Sequence, residues 1–350
     1  MKRDQGPVLA VLVAGIGDVV LGREALLALR AGYPGRAVHL LTNAQAVPLA
    51  EAMGLAERVW GFPIRDFRRG PMALPSVIRL AAALRRECFA VAVNLYAVGS
   101  CAGALKMGLL LRAVGAGLRV GVADKGLGLF VHRGIVPGEM VGLHASQAMM
   151  RVALAAGGAD PGPVSAIDFS LPGGSRFDAE LSGSGPLLGV NPGADMPGKL
   201  WPPERFAAVA DAFAEEFGAR IAILGGPGEE AVGRAVQDAM RAPSVLLTGR
   251  MTLPELAHVL TGLDLLVTND SGPMHIAAAA GTAVVAVFGQ ADPKAFAPLL
   301  PQQLFRVLTA PVPCRPCGNR ECDRPECLLR IGVDEVLAAC RALFPEGGCS

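Results

Sequence analysis

The chain has 350 residues, a length that predicts about two domains of ordinary size. Hydrophobic residues make up 52% of the sequence and charged residues 18%, a balance that supports packed cores and excludes a disordered chain. The formal net charge is +1, so the overall charge gives no reason to expect a nucleic-acid partner.

The start of the chain carries no signal-peptide pattern, because the apolar run 8–14 is only as long as a strand. The best candidate for a membrane span, 102–122, is interrupted by Lys106, Arg112 and Arg119. We therefore predict a cytoplasmic protein, and a peripheral contact with a membrane surface stays open.

The first half alternates short apolar runs with segments of helical periodicity. Strands are predicted at 8–13, 37–41, 58–61, 90–95 and 119–122, and helices at 19–31, 44–53, 75–88, 101–114 and 144–156. This order is typical of a parallel sheet with helices on both faces. A Gly-, Ser- and Pro-rich stretch, 171–186, then has the composition of a linker.

The alternation restarts in the second half. Strands are predicted at 187–190, 221–224, 245–247, 263–267 and, as the last, 283–288. Helices are predicted at 202–217, at 276–281 and near the C-terminus. A further helix is predicted to begin at the capping box of Thr252 and Glu255. The whole pattern predicts an α/β protein with two Rossmann-like domains, at residues 1–175 and 176–350, the second carrying a Cys-rich segment and the C-terminal helix.

The most informative turn follows the strand predicted at 263–267. It reads Thr268-Asn269-Asp270-Ser271-Gly272-Pro273-Met274-His275 and opens a helix of small residues. Ligands bind at the carboxyl ends of the strands in open α/β sheets, and a helix N-terminus favours an anion. We therefore predict a phosphate site here, with Asp270 beside it. His275 fits a ligand contact and a cap packed inside the turn equally well.

A second candidate loop, Gly15-Ile16-Gly17-Asp18, follows the first predicted strand. Its glycines allow a tight turn and a close approach to a ligand. Asp18 stands where an N-cap residue would stand, and a simple cap would also explain it. Val20 occupies the place of the third glycine of the dinucleotide fingerprint, which disfavours an NAD site.

Three further segments of the second half carry candidate residues. Asn191-Pro192-Gly193 and Gly225-Gly226 each follow a predicted strand, where glycine lets the backbone approach a nucleotide or simply makes a turn. Lys199 lies just before a predicted helix, where the helix dipole does not favour a cation. A lysine there indicates an anion beside it, although a solvated loop lysine is the commoner case.

Four segments, in order along the chain, resemble glycosyltransferase family nine, the heptosyltransferases of lipopolysaccharide core assembly. They are Gly17-Asp18, Lys199-x-Trp201-Pro202, Asp270-Ser271-Gly272-x-x-His275-x-Ala277-Ala278 and Phe288-Gly289-x-x-Asp292-Pro293. The resemblance runs from Val8 to Leu337 and is most specific in the third segment. It implies a GT-B fold, in which two Rossmann-like domains face a central cleft, the first binding the acceptor and the second the nucleotide-sugar donor.

The resemblance implies an inverting transferase that moves a heptose or related sugar from ADP-heptose to a lipopolysaccharide-core or similar glycan acceptor, without a catalytic cofactor. By the family pattern Asp18 is the general base, Lys199 contacts the donor diphosphate and Asp270 holds the sugar, so Asp18 and Lys199 are the predicted catalytic residues. The predicted donor set is Asn191, Gly193, Lys199, Gly225, Gly226, Asp270, Ser271, Gly272, Met274 and His275, and the predicted acceptor set is Gly17, Asp18 and Glu24. Glu24 replaces the proline that family members usually carry, which leaves the acceptor undetermined.

Two alternatives stay open. One is a GT-B transferase or epimerase that uses a UDP- or GDP-sugar, and the other is a non-catalytic nucleotide-sugar-binding protein. Basic residues in the first half are candidates to meet an acidic sugar, a lipid phosphate or the inner membrane leaflet, with ordinary solvated charge as the simpler explanation. They are Arg65, Arg68, Arg69, Arg79, Arg85 and Arg86.

Four of the eight cysteines are closely spaced, as Cys314-x2-Cys317-x4-Cys322-x4-Cys327. Thiolates at this density suit a structural zinc or iron. The segment also resembles the C-terminal Cys-rich segment of many family members, in which the cysteines need not hold metal. Reduced thiols that pack a surface loop are the favoured interpretation, and a cytoplasmic setting argues against disulfides.

Overall fold

The computed structural model describes residues 5–64, 74–315, 317, 319, 322 and 324–344. The chain forms two compact units, Met1–Ser165 and Ala166–Ser350. The division lies before the stretch 171–186, whereas composition placed the boundary after residue 175. The stretch belongs to the second unit because its side chains are anchored there: Phe177 is buried, and Asp178 Oδ1 lies 3.0 Å from Nε2 of His258.

The first unit contains a six-stranded parallel sheet. Its strands are Val8–Leu12 (β1), Val38–Asn43 (β2), Arg58–Phe62 (β3), Val91–Asn94 (β4), Leu118–Val122 (β5) and Arg133–Ile135 (β6), in the spatial order β3-β2-β1-β4-β5-β6. Its described helices are Ile16–Leu21 (α1), Arg23–Gly32 (α2), Val47–Ala52 (α3), Leu74–Arg86 (α4), Cys101–Val114 (α5) and Ala145–Ala155 (α6). Every residue of β1 and β4 is buried, as expected for central strands that are covered on both faces.

The helix predicted at 19–31 is in fact two helices, α1 and α2, which meet at Gly22. A methyl group on Gly22 would lie 2.5 Å from Leu12 Cδ2, so a larger residue here would require the Leu12 side chain to shift. The first helix also begins earlier than predicted, at Ile16, and this start moves Asp18 from the predicted N-cap into the first turn. The short edge strand β6 was not predicted, because three residues are too few for a periodic pattern.

The second unit contains another six-stranded parallel sheet. Its strands are Leu187–Asn191 (β7), Arg220–Ile223 (β8), Ser244–Leu246 (β9), Leu265–Asn269 (β10), Ala283–Val287 (β11) and Phe305–Leu308 (β12), in the order β12-β11-β10-β7-β8-β9. Its described helices are Pro203–Phe217 (α7), Glu230–Ala239 (α8), Leu253–Thr261 (α9), Gly272–Ala280 (α10), Pro293–Phe296 (α11), Glu326–Leu329 (α12) and Val333–Leu343 (α13).

Two sequence predictions for this unit have opposite outcomes. The capping box of Thr252 and Glu255 is confirmed, because Thr252 N–H donates to Glu255 Oε2 at 2.8 Å at the start of α9. The prediction that 283–288 is the last strand is wrong, because β12 follows and pairs with β11. The side chains of β12 are only partly buried at the sheet edge, so the segment lacks the continuous apolar run of a central strand.

Both sheets have the same doubly wound order, in which the first and fourth strands of each sheet lie side by side at its centre. Connections leave these two strands in opposite directions, so a crevice opens at their carboxyl ends. The crevice lies after β1 and β4 in the first unit and after β7 and β10 in the second. Of the helices that the structure describes, none combines the length and the apolar character needed to cross a bilayer.

Candidate functional site

The crevice of the second sheet is closed at its floor by a buried polar network. Asn191, the last residue of β7, donates from Nδ2 to Thr268 Oγ1 and to Ser271 Oγ, both at 3.1 Å. Asn269, the last residue of β10, donates from Nδ2 to Pro192 O at 2.7 Å. These bonds hold the two strand ends and their loops together.

The helix that leaves β10 presents an N-terminus without a side-chain cap. Ser271 is the N-cap residue of α10, but its hydroxyl makes no capping bond and is held by Asn191 instead. The first backbone N–H groups of a helix have no partner inside the helix, and the helix dipole favours an anion beside them. The uncapped start of α10 is compatible with the anion site predicted from the turn, which stays a prediction.

Lys199 and Asp270 form an ion pair beside this N-terminus. Lys199 Nζ lies 2.9 Å from Asp270 Oδ2 and 3.6 Å from Asp195 Oδ1, and both partners of the shorter pair are largely buried. The next segment is anchored by Trp201, which is fully buried and whose backbone N–H donates to Asn269 Oδ1 at 3.1 Å. The Lys199-x-Trp201 spacing therefore fixes the lysine stem while the ammonium stays at the crevice.

The Asp270 carboxyl is held in an environment that disfavours its charge. Burial raises its pKa above the usual range, and the neighbouring Lys199 ammonium opposes this shift only in part. An ionised carboxylate with a raised pKa costs folding free energy at neutral pH, which is typical of residues placed for function and not for stability.

Replacing Asp270 by asparagine is expected to stabilise the protein by about 0.5–2 kcal/mol at pH 8, because the charge is removed and the amide oxygen still accepts from Lys199. A group with a raised folded-state pKa contributes most below its unfolded pKa and loses that contribution as pH rises through the folded pKa. The advantage of D270N should therefore vanish near about pH 3 and grow with pH. Urea unfolding across this range measures it, and lower stability of D270N at pH 8 would contradict the assignment.

The glycine-rich loop after β8 encloses a carboxylate that was not predicted. Glu229 Oε2 accepts the backbone N–H of Gly226 at 2.7 Å. A methyl group on Gly193 would lie 2.2 Å from the Glu229 carboxyl carbon, and one on Gly225 would lie 2.6 Å from Thr248 Cγ2. Burial raises the pKa of Glu229, partly opposed by the Gly226 bond. The predicted glycines thus make room for an acidic side chain next to Asn191.

Two other members of the predicted donor set are buried. Met274 is fully buried and His275 nearly so, both in the first turns of α10. The Met274 side chain therefore packs in the core, and any donor contact from this residue would use its backbone N–H. Gln290, which follows β11, was not predicted, although it is buried beside Met196, to which its Nε2 donates at 3.5 Å.

The predicted residues of the first unit lie on two helices, Gly17 and Asp18 in α1 and Glu24 in α2. Asp18 Oδ2 accepts the backbone N–H of Gly15 at 3.0 Å, so Asp18 is the third residue of a capping box and not the N-cap itself. Glu24 is half-buried in the first turn of α2. Its neighbour Arg23 is buried, and burial lowers the pKa of its guanidinium. The sequence analysis missed this buried cation, since a single arginine in a helix carries no distinctive pattern.

The cysteine-rich segment is bonded to the loop that follows β11. Arg315 donates from Nε to Gly289 O at 2.7 Å and from Nη2 to Ala291 O at 3.1 Å. Cys317 N–H donates to Gln290 O at 3.1 Å. The segment therefore supports the loop of the Phe288-Gly289-x-x-Asp292 motif from outside.

The four cysteines differ in exposure: Cys314 is exposed, Cys317 and Cys322 are half-buried, and Cys327 is buried. Burial, and then the charges of the other three thiols, raise the pKa of Cys327. Within the described ranges, no three His, Cys, Asp or Glu side chains are arranged to hold a metal ion. The metal centre that the cysteine spacing suggested therefore stays a prediction.

The comparison with protein families agrees with the geometry of the second crevice. The model of glycosyltransferase family 9 (heptosyltransferase) matches residues 77–327, which include the whole network of Asn191, Lys199 and Asp270. The chain belongs to glycosyltransferase family 9. The resemblance noted in the four sequence segments is therefore confirmed at the level of the family.

Individual relatives of this family 9 chain are heptosyltransferases. Lipooligosaccharide heptosyltransferase 2 of Haemophilus influenzae is 35% identical over 124 residues, which cover 34% of this chain and 36% of that protein. Lipopolysaccharide heptosyltransferase 2 of Salmonella typhimurium is 29% identical over 177 residues, 49% of this chain and 50% of that protein. The matches thus span between a third and a half of these curated relatives.

A solved structure extends the likeness to the whole chain. The E. coli ADP-heptose lipopolysaccharide heptosyltransferase II has a TM-score of 0.76 with 20% sequence identity, covering 97% of this chain and 98% of that one. At this identity the match establishes the fold. The predicted α/β class, with two parallel sheets of the GT-B type, is confirmed.

Proposed function

We propose that this family 9 chain is an inverting glycosyltransferase that transfers a heptose or related sugar from ADP-heptose to a lipopolysaccharide-core or similar glycan acceptor. The observation that carries the proposal is the Lys199–Asp270 pair at the uncapped start of α10. A cation and a helix N-terminus together suit a diphosphate, and the carboxylate suits sugar hydroxyls. The names of the relatives support heptose as the sugar.

The proposed reaction is a single displacement. The acceptor hydroxyl oxygen forms a bond to the anomeric carbon, and the bond from that carbon to the diphosphate oxygen breaks with its electron pair. Asp18 takes the hydroxyl proton, while Lys199 and the N-terminus of α10 stabilise the departing diphosphate. One direct attack inverts the anomeric centre, and neither a metal nor a cofactor takes part in this scheme.

Two further groups support a nucleotide-sugar in the second unit. The Oδ1 of Asn191 is buried, and among the described residues no hydrogen-bond donor reaches it, so a ligand hydroxyl or N–H would satisfy it. Glu229 supplies a second acceptor beside Gly193 and Gly226, where a ligand with adjacent hydroxyl groups would bind. We assign both residues to the donor.

The donor nucleotide is tested by thermal unfolding with ADP, UDP and GDP at equal concentrations. ADP is expected to raise the Tm most, because it is the nucleotide of the proposed donor. A ligand at about 100 times its Kd stabilises the folded state by about 2.7 kcal/mol. A transfer assay with ADP-heptose and a soluble core oligosaccharide then tests the reaction. A larger shift with UDP or GDP would favour the other donor class, and ADP binding without transfer would favour a non-catalytic protein.

The cysteine-rich segment has two candidate roles, a structural zinc or iron site and a set of reduced thiols that support the β11 loop. Four thiols within 314–327 support the metal, whereas the bonds of Arg315 and Cys317 to the β11 loop support the thiols. Elemental analysis of untagged protein purified without oxygen separates the two roles. A metal content far below one ion per chain would rule out the metal site, since thiolate sites bind metal tightly.

A further inference from the structure

The exposed surface of α4 and α5 in the first unit is unusually apolar. Leu74 and Ile78 on α4, and Leu105 and Leu109 on α5, are each more than half exposed. Each pair has a spacing of four residues, which places both side chains on one face of their helix. A large aliphatic side chain that stays in water is common singly, but four on two adjacent helices indicate an interaction surface.

The two helices run side by side, so their exposed sides are neighbours on the surface. They pack against each other, and Arg85 near the end of α4 donates from Nη1 to the carbonyl of Ala113 near the end of α5, at 3.2 Å. Both helices connect parallel strands, so they run in the same direction. The exposed aliphatic residues therefore lie toward the N-terminal ends of the two helices. Their C-terminal ends contact each other through Arg85 and Ala113.

The same two helices carry basic residues and no acidic ones. Their cations are Arg79, Arg85 and Arg86 on α4 and Lys106 and Arg112 on α5. In the part of the chain that the structure describes, no carboxylate lies within salt-bridge distance of Arg79, Arg86 or Arg112. Of the arginines predicted to meet acidic groups, Arg65, Arg68 and Arg69 lie outside the described residues. The face thus combines exposed aliphatic groups with the positive charges of Arg79, Arg86 and Arg112.

We propose that the exposed face of α4 and α5 docks on an anionic phospholipid bilayer. Leu105, Leu109 and their α4 counterparts would enter the boundary between headgroups and acyl chains, and the arginines would meet lipid phosphates while their stems lie along the apolar surface. Aliphatic contact and attraction to anionic lipid are the two contributions that stable peripheral binding needs.

The position of this face relates it to the proposed function, on which this part of the inference rests. Both helices begin at the carboxyl edge of the first sheet, the same edge at which the loop with Asp18 follows β1. Docking through α4 and α5 would hold this edge close to the bilayer, where the lipid anchor of a glycolipid acceptor resides. Docking of this kind would suit an acceptor that carries a lipid anchor.

A second copy of the chain fits this face poorly. A two-fold dimer places the same patch against itself, so Arg86 and Arg112 would face the cations of the partner with no acidic residue on either helix to balance them. Like charges that face each other across an interface are unfavourable. An anionic bilayer satisfies both the charge and the apolar groups.

The test is flotation of the full-length protein with vesicles of phosphatidylethanolamine and phosphatidylglycerol, compared with pure phosphatidylcholine vesicles. The variants are L105Q/L109Q and R86Q/R112Q; the matched controls are Leu154→Gln, an exposed leucine on α6, and Arg234→Gln, an exposed arginine on α8. We expect binding to anionic vesicles to weaken about fivefold per arginine removed, hence about 25-fold in R86Q/R112Q, and to stay unchanged in the controls.

Turnover of ADP-heptose with a soluble acceptor and light scattering complete the test. Weakened flotation in both face variants, with normal soluble turnover and a monomeric state, supports docking. Wild-type protein that does not float with anionic vesicles at low salt, or face variants that float as well as the controls, overturn it. Self-association that L105Q/L109Q abolishes, without vesicle binding, overturns it in favour of a dimer. Weakened flotation without any turnover supports the face and contradicts the proposed function.

Discussion

Replacing Lys199 by glutamine is expected to lower kcat/KM for ADP-heptose transfer by about 10²–10³-fold. The ammonium is the one lysine charge at the start of α10 among the described residues, and it would stabilise the diphosphate as negative charge develops on it. Glutamine keeps a hydrogen-bond donor for Asp270 but removes the charge. Steady-state kinetics with ADP-heptose and a soluble core acceptor measure the effect.

The control for this prediction is Lys125→Gln. Lys125 forms an ion pair with Asp124 at 3.1 Å on the protein surface. Its replacement removes the same positive charge, but from a site that is exposed to water. Circular dichroism should show that both variants are folded, because glutamine at position 199 still donates a hydrogen bond to the buried Asp270. Equal kcat/KM in the Lys199 variant and the control would refute the role of Lys199 in transfer.

Asp18→Asn is expected to lower kcat by about 10²–10⁴-fold while the affinity for ADP stays unchanged. Asparagine cannot accept the proton of the acceptor hydroxyl, but its amide oxygen can still accept the N–H of Gly15, so the start of α1 is preserved. Single-turnover kinetics separate this chemical step from donor binding, which equilibrium titration with ADP measures on its own.

A capping box of the same design supplies the control for Asp18. Gly332 is the N-cap of α13, and its N–H donates to Glu335 Oε2 at 2.8 Å, as the Gly15 N–H donates to Asp18. Glu335→Gln therefore reports the structural cost of neutralising such a cap. If Asp18→Asn and Glu335→Gln reduce turnover equally, Asp18 acts only as a cap and the base lies elsewhere.

Local patterns in the sequence predicted most of the elements that position the site. The strand before Asp270 is a short apolar run, and all five residues of β10 are buried. The Thr252–Glu255 capping box depends on residues three positions apart, so the sequence alone reveals it. Interactions between residues a few positions apart can be predicted from the sequence, because the same residues make them in any tertiary context.

The errors share a different cause, which is contact between residues distant in the chain. The break between α1 and α2 falls at Gly22, which lies close to the Leu12 side chain of β1, and helix periodicity does not predict it. The edge strand β12 exists because β11 offers it a partner. The assignment of 171–186 to the second unit also depends on such contacts, because Phe177 is buried there and Asp178 lies 3.0 Å from His258.

The sequence by itself determined the family, the α/β class and the candidate residues at the strand ends. It could do so because the motifs that carry these residues directly follow predicted strands in the sequence. Only the tertiary structure decided how those residues meet. The Asn191–Ser271 bond joins positions 80 residues apart, and the Lys199–Asp270 pair requires two loops that folding brings to one crevice. The enclosure of Glu229 by Gly193 and Gly226 also arises this way, since burial and pairing depend on which strands become neighbours.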